Sequence, residues 1–127
     1  MIVSVYNIIT ANSVFTKILQ YEFTAKQSFI IGRTLRALSN EAEIFNKTRE
    51  EMLKKYAEFN ENGEMIIENN NVKIRNDKLE NFQHEINELL YSNLEINVKP
   101  IPIEWFDNVR LTPQEMLVLE PFISVEE

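Results

Sequence analysis

The sequence predicts an α-dominated α+β fold in a single domain that covers residues 1–127. A long stretch between residues 31 and 56 has apolar side chains at heptad spacing and contains no proline. A second apolar stripe at helical spacing lies between residues 79 and 90, and short β-prone runs surround it. We therefore expect a long helix packed as an antiparallel hairpin with a shorter one. A small β-hairpin should form the tip, and a C-terminal edge strand plus a short helix should follow.

The first predicted element is a short helix over about residues 9–21. Between Asn7 and Phe23 the apolar residues fall at helical intervals. They are Ile8, Ala11, Phe15, Ile18, Leu19 and Phe23. The run Met1 to Tyr6 is too short and too uniformly apolar to distinguish a strand from a helix.

The second predicted element is a helix over about residues 24–58. Thr24 is suited to accept a hydrogen bond from the first free N–H groups of this helix. The seam residues are Ile31, Leu35, Leu38, Ala42, Phe45, Arg49, Met52 and Tyr56. About 35 residues at 1.5 Å each give a rod of roughly 50 Å, which cannot bury its apolar stripe alone.

The segment after the long helix predicts a turn and a β-hairpin. Asn60 to Gly63 should end the helix, because Asn and Gly tolerate left-handed backbone. Glu64 to Ile67 and Val72 to Ile74 are β-prone runs on either side of Glu68–Asn71, whose asparagines suit a tight turn.

The last third of the chain predicts a helix, a strand and a second short helix. Asn76 or Asp77 can cap a helix over about residues 77–92, whose stripe matches the heptad seam in period. The alternation of residues 94–98 indicates a half-buried strand, and the prolines at positions 100 and 102 confine its far end to an edge. Thr112 to Glu115 forms a capping box with proline at the first helical position, which predicts a short helix up to Pro121.

Composition excludes several classes of protein. The chain has no cysteine, which excludes disulfides, thiolate metal sites and a cysteine nucleophile. Its net charge of −7 argues against nonspecific binding to nucleic-acid phosphates, although an acidic protein can still carry a local basic patch, and we expect no direct nucleic-acid partner. No apolar run approaches the ~20 residues that a membrane helix needs, so we expect no membrane partner. Residues 1–40 carry four cations against one acid, whereas residues 100–127 carry six acids against Arg110. These charges either lie on solvated faces or attract the two ends of the chain to each other.

No group of residues carries a catalytic signature, so we expect no enzyme activity and no cofactor. Glu80, His84 and Glu88 recur at four-residue intervals on the third helix, but two carboxylates and one imidazole are common on acidic helices, and we predict no metal site. His84 is also the only histidine that could serve as the base of a catalytic triad, and the sequence has no Gly-x-Ser-x-Gly motif to supply the nucleophile.

Three residues are candidates for interaction with a partner. Arg49 occupies a seam position, where its guanidinium either reaches solvent or pairs with a carboxylate such as Glu85 or Glu88. Trp105 and Phe106 follow a proline-containing edge and are either core residues or an exposed anchor.

Most of residues 24–123 resemble a family of uncharacterised small proteins encoded by tailed bacteriophages and prophages. The sequence segments that carry the resemblance are Ala25–Lys26, Glu41 to Tyr56, Glu61 to Gly63, Phe82 with Glu85 and Glu88 to Leu90, Glu95–Ile96, and Leu111 to Pro113 through Leu119 to Ile123. The resemblance implies a phage origin and a fold. It supplies no functional residues.

A phage origin favours interaction roles. The leading expectation is a phage accessory protein that binds a host protein, or counters a host defence, through its helical hairpin in the host cytoplasm. The alternative is a structural or assembly component of the virion. Because the seam from Ile31 to Tyr56 is longer than the helix that covers it, we also expect a homo-oligomer.

Overall fold

The structure is a computed structural model that describes residues 1–125. The chain divides into two compact units. The core unit comprises Met1–Ala42 together with the chain from Asn93 onward, and the hairpin unit comprises Glu43–Ser92. The α-dominated α+β class predicted from the sequence is confirmed, whereas the expectation of a single domain stays a prediction.

Four α-helices and three two-stranded sheets make up the described chain. In chain order the elements are β1 (Ile2–Ser4), α1 (Val5–Ile18), α2 (Ala25–Tyr56), β2 (Ile67–Glu68), β3 (Asn71–Val72), α3 (Leu79–Leu90), β4 (Asn93–Glu95), β5 (Ile101–Pro102), α4 (Pro113–Leu119) and β6 (Ile123–Ser124). None of the described helices is long and apolar enough to cross a membrane.

The core unit begins with a strand that leads directly into α1. β1 pairs antiparallel with β4, and Val3 lies opposite Leu94. The Ser4 side chain then accepts a hydrogen bond from the Asn7 N–H and caps α1. The helix therefore starts four residues earlier than the predicted 9–21 and ends at Ile18, because strand pairing and the serine cap set its start.

The apolar core of this unit is built around α1. Phe15 lies fully buried against Phe122, with ring centroids 6.2 Å apart in an edge-on arrangement. Ile31 and Leu38 of α2 belong to the same buried cluster. Each large apolar side chain that is fully buried contributes about 1.5–3 kcal/mol, so this cluster stabilises the unit.

Helix α2 agrees closely with its prediction. It spans 32 residues, and Thr24 and Gln27 cap it reciprocally through two hydrogen bonds of 3.2 Å between side chain and backbone N–H. Its first half packs on α1 within the core unit.

The hairpin unit differs from the expectation at the point where α2 ends. The helix stops at Tyr56, and the Arg75 N–H donates to the Tyr56 carbonyl. The segment Asn60–Gly63 does not terminate the helix; it forms a turn that pairs Phe59 with Met65. The Asn60 side-chain oxygen accepts two backbone N–H groups there, so a local hydrogen bond of the asparagine sets the turn.

The predicted β-hairpin and helical hairpin are both present in this unit. Asn69 and Asn70 link β2 to β3 with φ of 52° and 67°, which are the two left-handed residues of a tight hairpin turn. In the helical hairpin, the Phe82 ring of α3 lies 6.1 Å from the Tyr56 ring of α2, edge-on. Neither Asn76 nor Asp77 caps α3, because the chain enters it through a short 3₁₀ turn with no side-chain cap.

The C-terminal elements complete the core unit. The predicted strand is shortened to β4, and its continuation places Ile96 in the core. β5 pairs in parallel with β6. Both strands of a two-stranded sheet are edge strands, so Pro102 lies in an edge strand as predicted. The capping box of α4 is confirmed: Thr112 and Glu115 exchange hydrogen bonds of 3.0 and 3.2 Å.

The two glycines predict opposite effects on stability when each is replaced by alanine. A Cβ on Gly32 meets nothing within 4 Å in the interior of α2, so Gly32→Ala should stabilise the protein by roughly 0.5–1 kcal/mol. Gly63 has φ +76°, so Gly63→Ala should destabilise it by about 1–2 kcal/mol. Urea denaturation followed by circular dichroism measures both, and a lower midpoint for Gly32→Ala would contradict the assignment.

The ion pair between α1 and α4 predicts a pH-dependent contribution to stability. Lys17 Nζ lies 2.6 Å from Glu115 Oε2, and this hydrogen bond, followed by the one from the Thr112 N–H, lowers the pKa of Glu115. A lowered pKa means that the stabilisation exists above the unfolded pKa and disappears as pH falls through the folded pKa. Glu115→Gln, which keeps the capping geometry, should therefore lower the melting temperature at pH 7, and this difference from the wild type should shrink as the pH falls below the ordinary carboxyl pKa and through the lowered pKa of Glu115.

The matched control is Glu104→Gln, because Glu104 is exposed and forms no ion pair within residues 1–125. A constant difference between wild type and Glu115→Gln across the pH range would refute the prediction.

Candidate functional site

One face of α2 in the core unit carries cations and an exposed aromatic ring. Lys26, Phe29, Arg33 and Arg36 follow one another at intervals of three and four residues, so they share a face of the helix. Ile31 and Leu38 point into the core and fix the rotation of the helix. The same helix therefore has one face that is buried and another that is presented to solvent.

The second wall of the site comes from the chain between β4 and the 3₁₀ turn Ile103–Phe106. Residues 97–102 and Trp105 line it, and Ile101 is held in the core by its pairing with Ile123. Neighbouring residues in a 3₁₀ turn point about 120° apart. Phe106 is thus buried in the core, while Trp105 is half-buried and lines the groove.

Together the two walls form a groove of about 740 Å³, which we call the cationic groove. Its charged side chains are Lys26, Arg33, Arg36 and Lys99. The remaining lining residues are Phe29, Ile30, Thr34, Ala37, Asn40, Asn97, Val98, Pro100, Ile101, Pro102 and Trp105. The described lining thus combines four positive charges with apolar surface and contains no carboxylate.

No carboxylate among residues 1–125 neutralises the four cations of the groove. Within residues 1–125 none of them forms an ion pair, whereas Lys17, Lys47, Lys55 and Lys73 each do. The Arg33 guanidinium lies 5.8 Å from the centre of the Phe29 ring, which is 65% exposed. The groove is therefore a local positive surface on a chain of net charge −7.

The groove can bind an anionic ligand that also carries an apolar part. Guanidinium groups donate paired hydrogen bonds to carboxylates or phosphates, and lysines add flexible point charges. Phe29, Trp105 and the two prolines offer apolar contact area beside these charges.

The structure separates the three interaction candidates. Trp105 lies in the cationic groove, and Phe106 is a core residue. Arg49 is exposed in the hairpin unit and forms no ion pair within residues 1–125. Of the two arrangements expected for Arg49, the structure shows the side chain that reaches solvent and not the pair with Glu85 or Glu88; Glu85 Oε1 lies 3.5 Å from Lys55 Nζ instead.

His84 and its neighbours do not form a metal site within the described residues. A shallow pocket of about 590 Å³ in the hairpin unit is lined by Tyr56, Glu80, Asn81, His84 and Glu85. His84 Nε2 lies 2.9 Å from Glu88 Oε1 across one helical turn. Among residues 1–125 no group of three potential ligands is positioned to hold an ion.

Sequence reasoning noted the positive charge of the N-terminal part but did not predict the groove. The excess of positive charge in residues 1–40 was visible, and three of the groove cations come from it. The spacing of Lys26, Phe29, Arg33 and Arg36 was a readable signal of a cationic aromatic face. Lys99 lies more than 60 positions further along the chain, and no local pattern connects it to them.

Comparison of the chain with models of known families, with curated proteins and with solved structures finds no match.

Proposed function

We propose that this protein is a phage accessory protein of non-enzymatic type, which acts by binding another protein through the cationic groove. The observation that carries the proposal is a set of four cations, without ion pairs among the described residues, around two partly exposed aromatic rings. Trp and Arg are enriched among the residues that dominate protein–protein binding energies, and Phe is enriched in the interfaces themselves. The phage origin rests on the sequence resemblance alone.

The location of the groove supports this function. Its walls are a capped helix and a segment anchored by strand pairing, so the side chains are presented on a scaffold that is folded before binding. A pre-organised surface loses little conformational entropy when a partner docks. A host protein in the cytoplasm is the proposed partner, and a protein of the virion is the alternative.

Capture of the partner should depend on the groove. We expect the tagged wild-type protein to retain a defined protein from phage-infected cells, and the double variant Arg33→Glu, Arg36→Glu to lose it. Arg110→Glu is the matched control, because Arg110 is an exposed cation of the same unit that does not line the groove. Mass spectrometry then identifies the partner as a host protein or a virion protein. Equal capture by the wild type and the double variant would refute the proposal.

A second proposal concerns self-association through the hairpin unit. Of the described residues in this unit, only Tyr56 and Ala57 are buried. The apolar stripe of α3 contains no fully buried side chain, and Ile44 and Leu79 are exposed. Two helices cover each other on one side only, so pairing with the hairpin of a second copy would bury the open side. This arrangement supports the homo-oligomer expected from the seam length.

Light scattering on the full chain tests the self-association. The wild-type mass should exceed the monomer mass of 15.0 kDa and approach that of two copies at high micromolar concentration. The variant Ile44→Glu, Leu79→Glu should return it to the monomer, whereas the control Asn46→Glu, Asn81→Glu adds the same charge at exposed polar positions. A wild-type mass of 15.0 kDa throughout would refute this proposal.

A further inference from the structure

The charge of the cationic groove specifies the chemistry of its occupant. Four cations line it, none of which forms an ion pair within residues 1–125, and no described lining residue is acidic. We infer that the groove takes an extended acidic peptide segment, with an aromatic or other apolar side chain between its carboxylates. This inference rests on the proposed function, since it names the class of partner for the same site.

The dimensions of the groove fit an extended peptide. Its helical wall runs from Lys26 to Asn40, which is about 21 Å at 1.5 Å per residue. An extended chain advances about 3.3 Å per residue, so roughly six residues span the groove. Lys26 and Arg36 are separated by about 15 Å along the helix, so one small anion cannot contact both.

Each wall supplies part of the recognition. Carboxylates on alternate peptide residues reach Lys26, Arg33 and Arg36 on the helix, or Lys99 on the opposite wall. The intervening side chain packs against Trp105 or the exposed Phe29 ring. Acidic residues set the register, and the apolar residue adds affinity that does not depend on salt.

The charge outside the groove favours a peptide over a single-stranded nucleic acid. Both are anions, and bases also stack on aromatic rings. The rest of the described core unit, however, carries only two cationic side chains, Lys17 and Arg110, against seven acidic ones. The acids are Glu22, Glu41, Glu95, Glu104, Asp107, Glu115 and Glu120. A nucleic acid carries a phosphate at every nucleotide and is repelled beyond the groove, whereas a peptide can confine its charge to the residues inside.

The first experiment uses an array of random peptides of about ten residues, long enough to span the groove. The full-length protein is the probe. The bound set should be enriched in Asp and Glu, with Phe, Tyr or Leu between them. The double variant Arg33→Glu, Arg36→Glu should lose that enrichment, and Arg110→Glu should keep it.

The second experiment measures affinity through Trp105, which is the only tryptophan of the chain and lies in the groove. A tryptophan-free peptide chosen from the array should change its emission saturably, with a dissociation constant that rises several-fold between about 50 and 200 mM salt. Arg33→Glu with Arg36→Glu should weaken binding at least about tenfold, since two charge-assisted contacts are reversed. Arg110→Glu should change it less than about twofold, because exposed charges at a distance are screened.

Three results would overturn the inference. They are an array without enrichment of acidic residues, equal affinity for the same peptide with its acids changed to amides, and tighter binding of a thymidine decanucleotide than of the acidic peptide. Failure of the proposed function gives a different result. If capture from cells depends on Arg33 and Arg36 while acidic peptides do not bind, only the ligand class is wrong. If acidic peptides bind while the wild type and the Arg33→Glu, Arg36→Glu variant capture the same protein from cells equally, the proposed function is wrong.

Discussion

Burial of one face of α2 against α1 is the constraint on which the core unit and its groove depend. Ile31 and Leu38 enter the cluster that surrounds Phe15, and this fixes the rotation of the helix about its axis. Once the rotation is fixed, residues three and four positions apart on the outer face must point away from the core. The positions of the α2 cations are therefore set by the apolar residues on the opposite face of the helix. Because the cations stay exposed to solvent, no free energy is lost to charge burial.

The C-terminal segment closes the same core from the other side. Phe122 contacts the Phe15 ring, and β6 holds β5 by parallel pairing. This pairing also positions the chain that carries Lys99 and Trp105. A substitution that weakens the packing of Phe122 would therefore disturb the geometry of the groove without altering any of its charged side chains.

The two units differ in how they are stabilised. The core unit has a cluster of fully buried apolar side chains, whereas the described hairpin unit buries only Tyr56 and Ala57. The contacts described within it are local hydrogen bonds, including those of Asn60, the edge-on contact of the Tyr56 and Phe82 rings, and the exposed ion pairs of Lys73 with Glu58 and Glu68. Exposed ion pairs contribute little, so a hairpin of this kind gains much from any surface that covers its apolar stripe.

The sequence by itself determined the elements whose signals are local. The heptad seam and Thr24 defined α2 to within two residues at each end, Asn69 and Asn70 defined a tight turn, and Thr112 with Glu115 defined the start of α4. These signals act between residues at most a few positions apart, so composition and spacing reveal them. Tertiary structure alone decided the strand pairing that precedes α1, the separation of Trp105 from Phe106, and the presence of Lys99 beside the cations of α2. Each of these depends on strand pairing or core packing between distant segments, and the free energy of such contacts cannot be read from a local pattern.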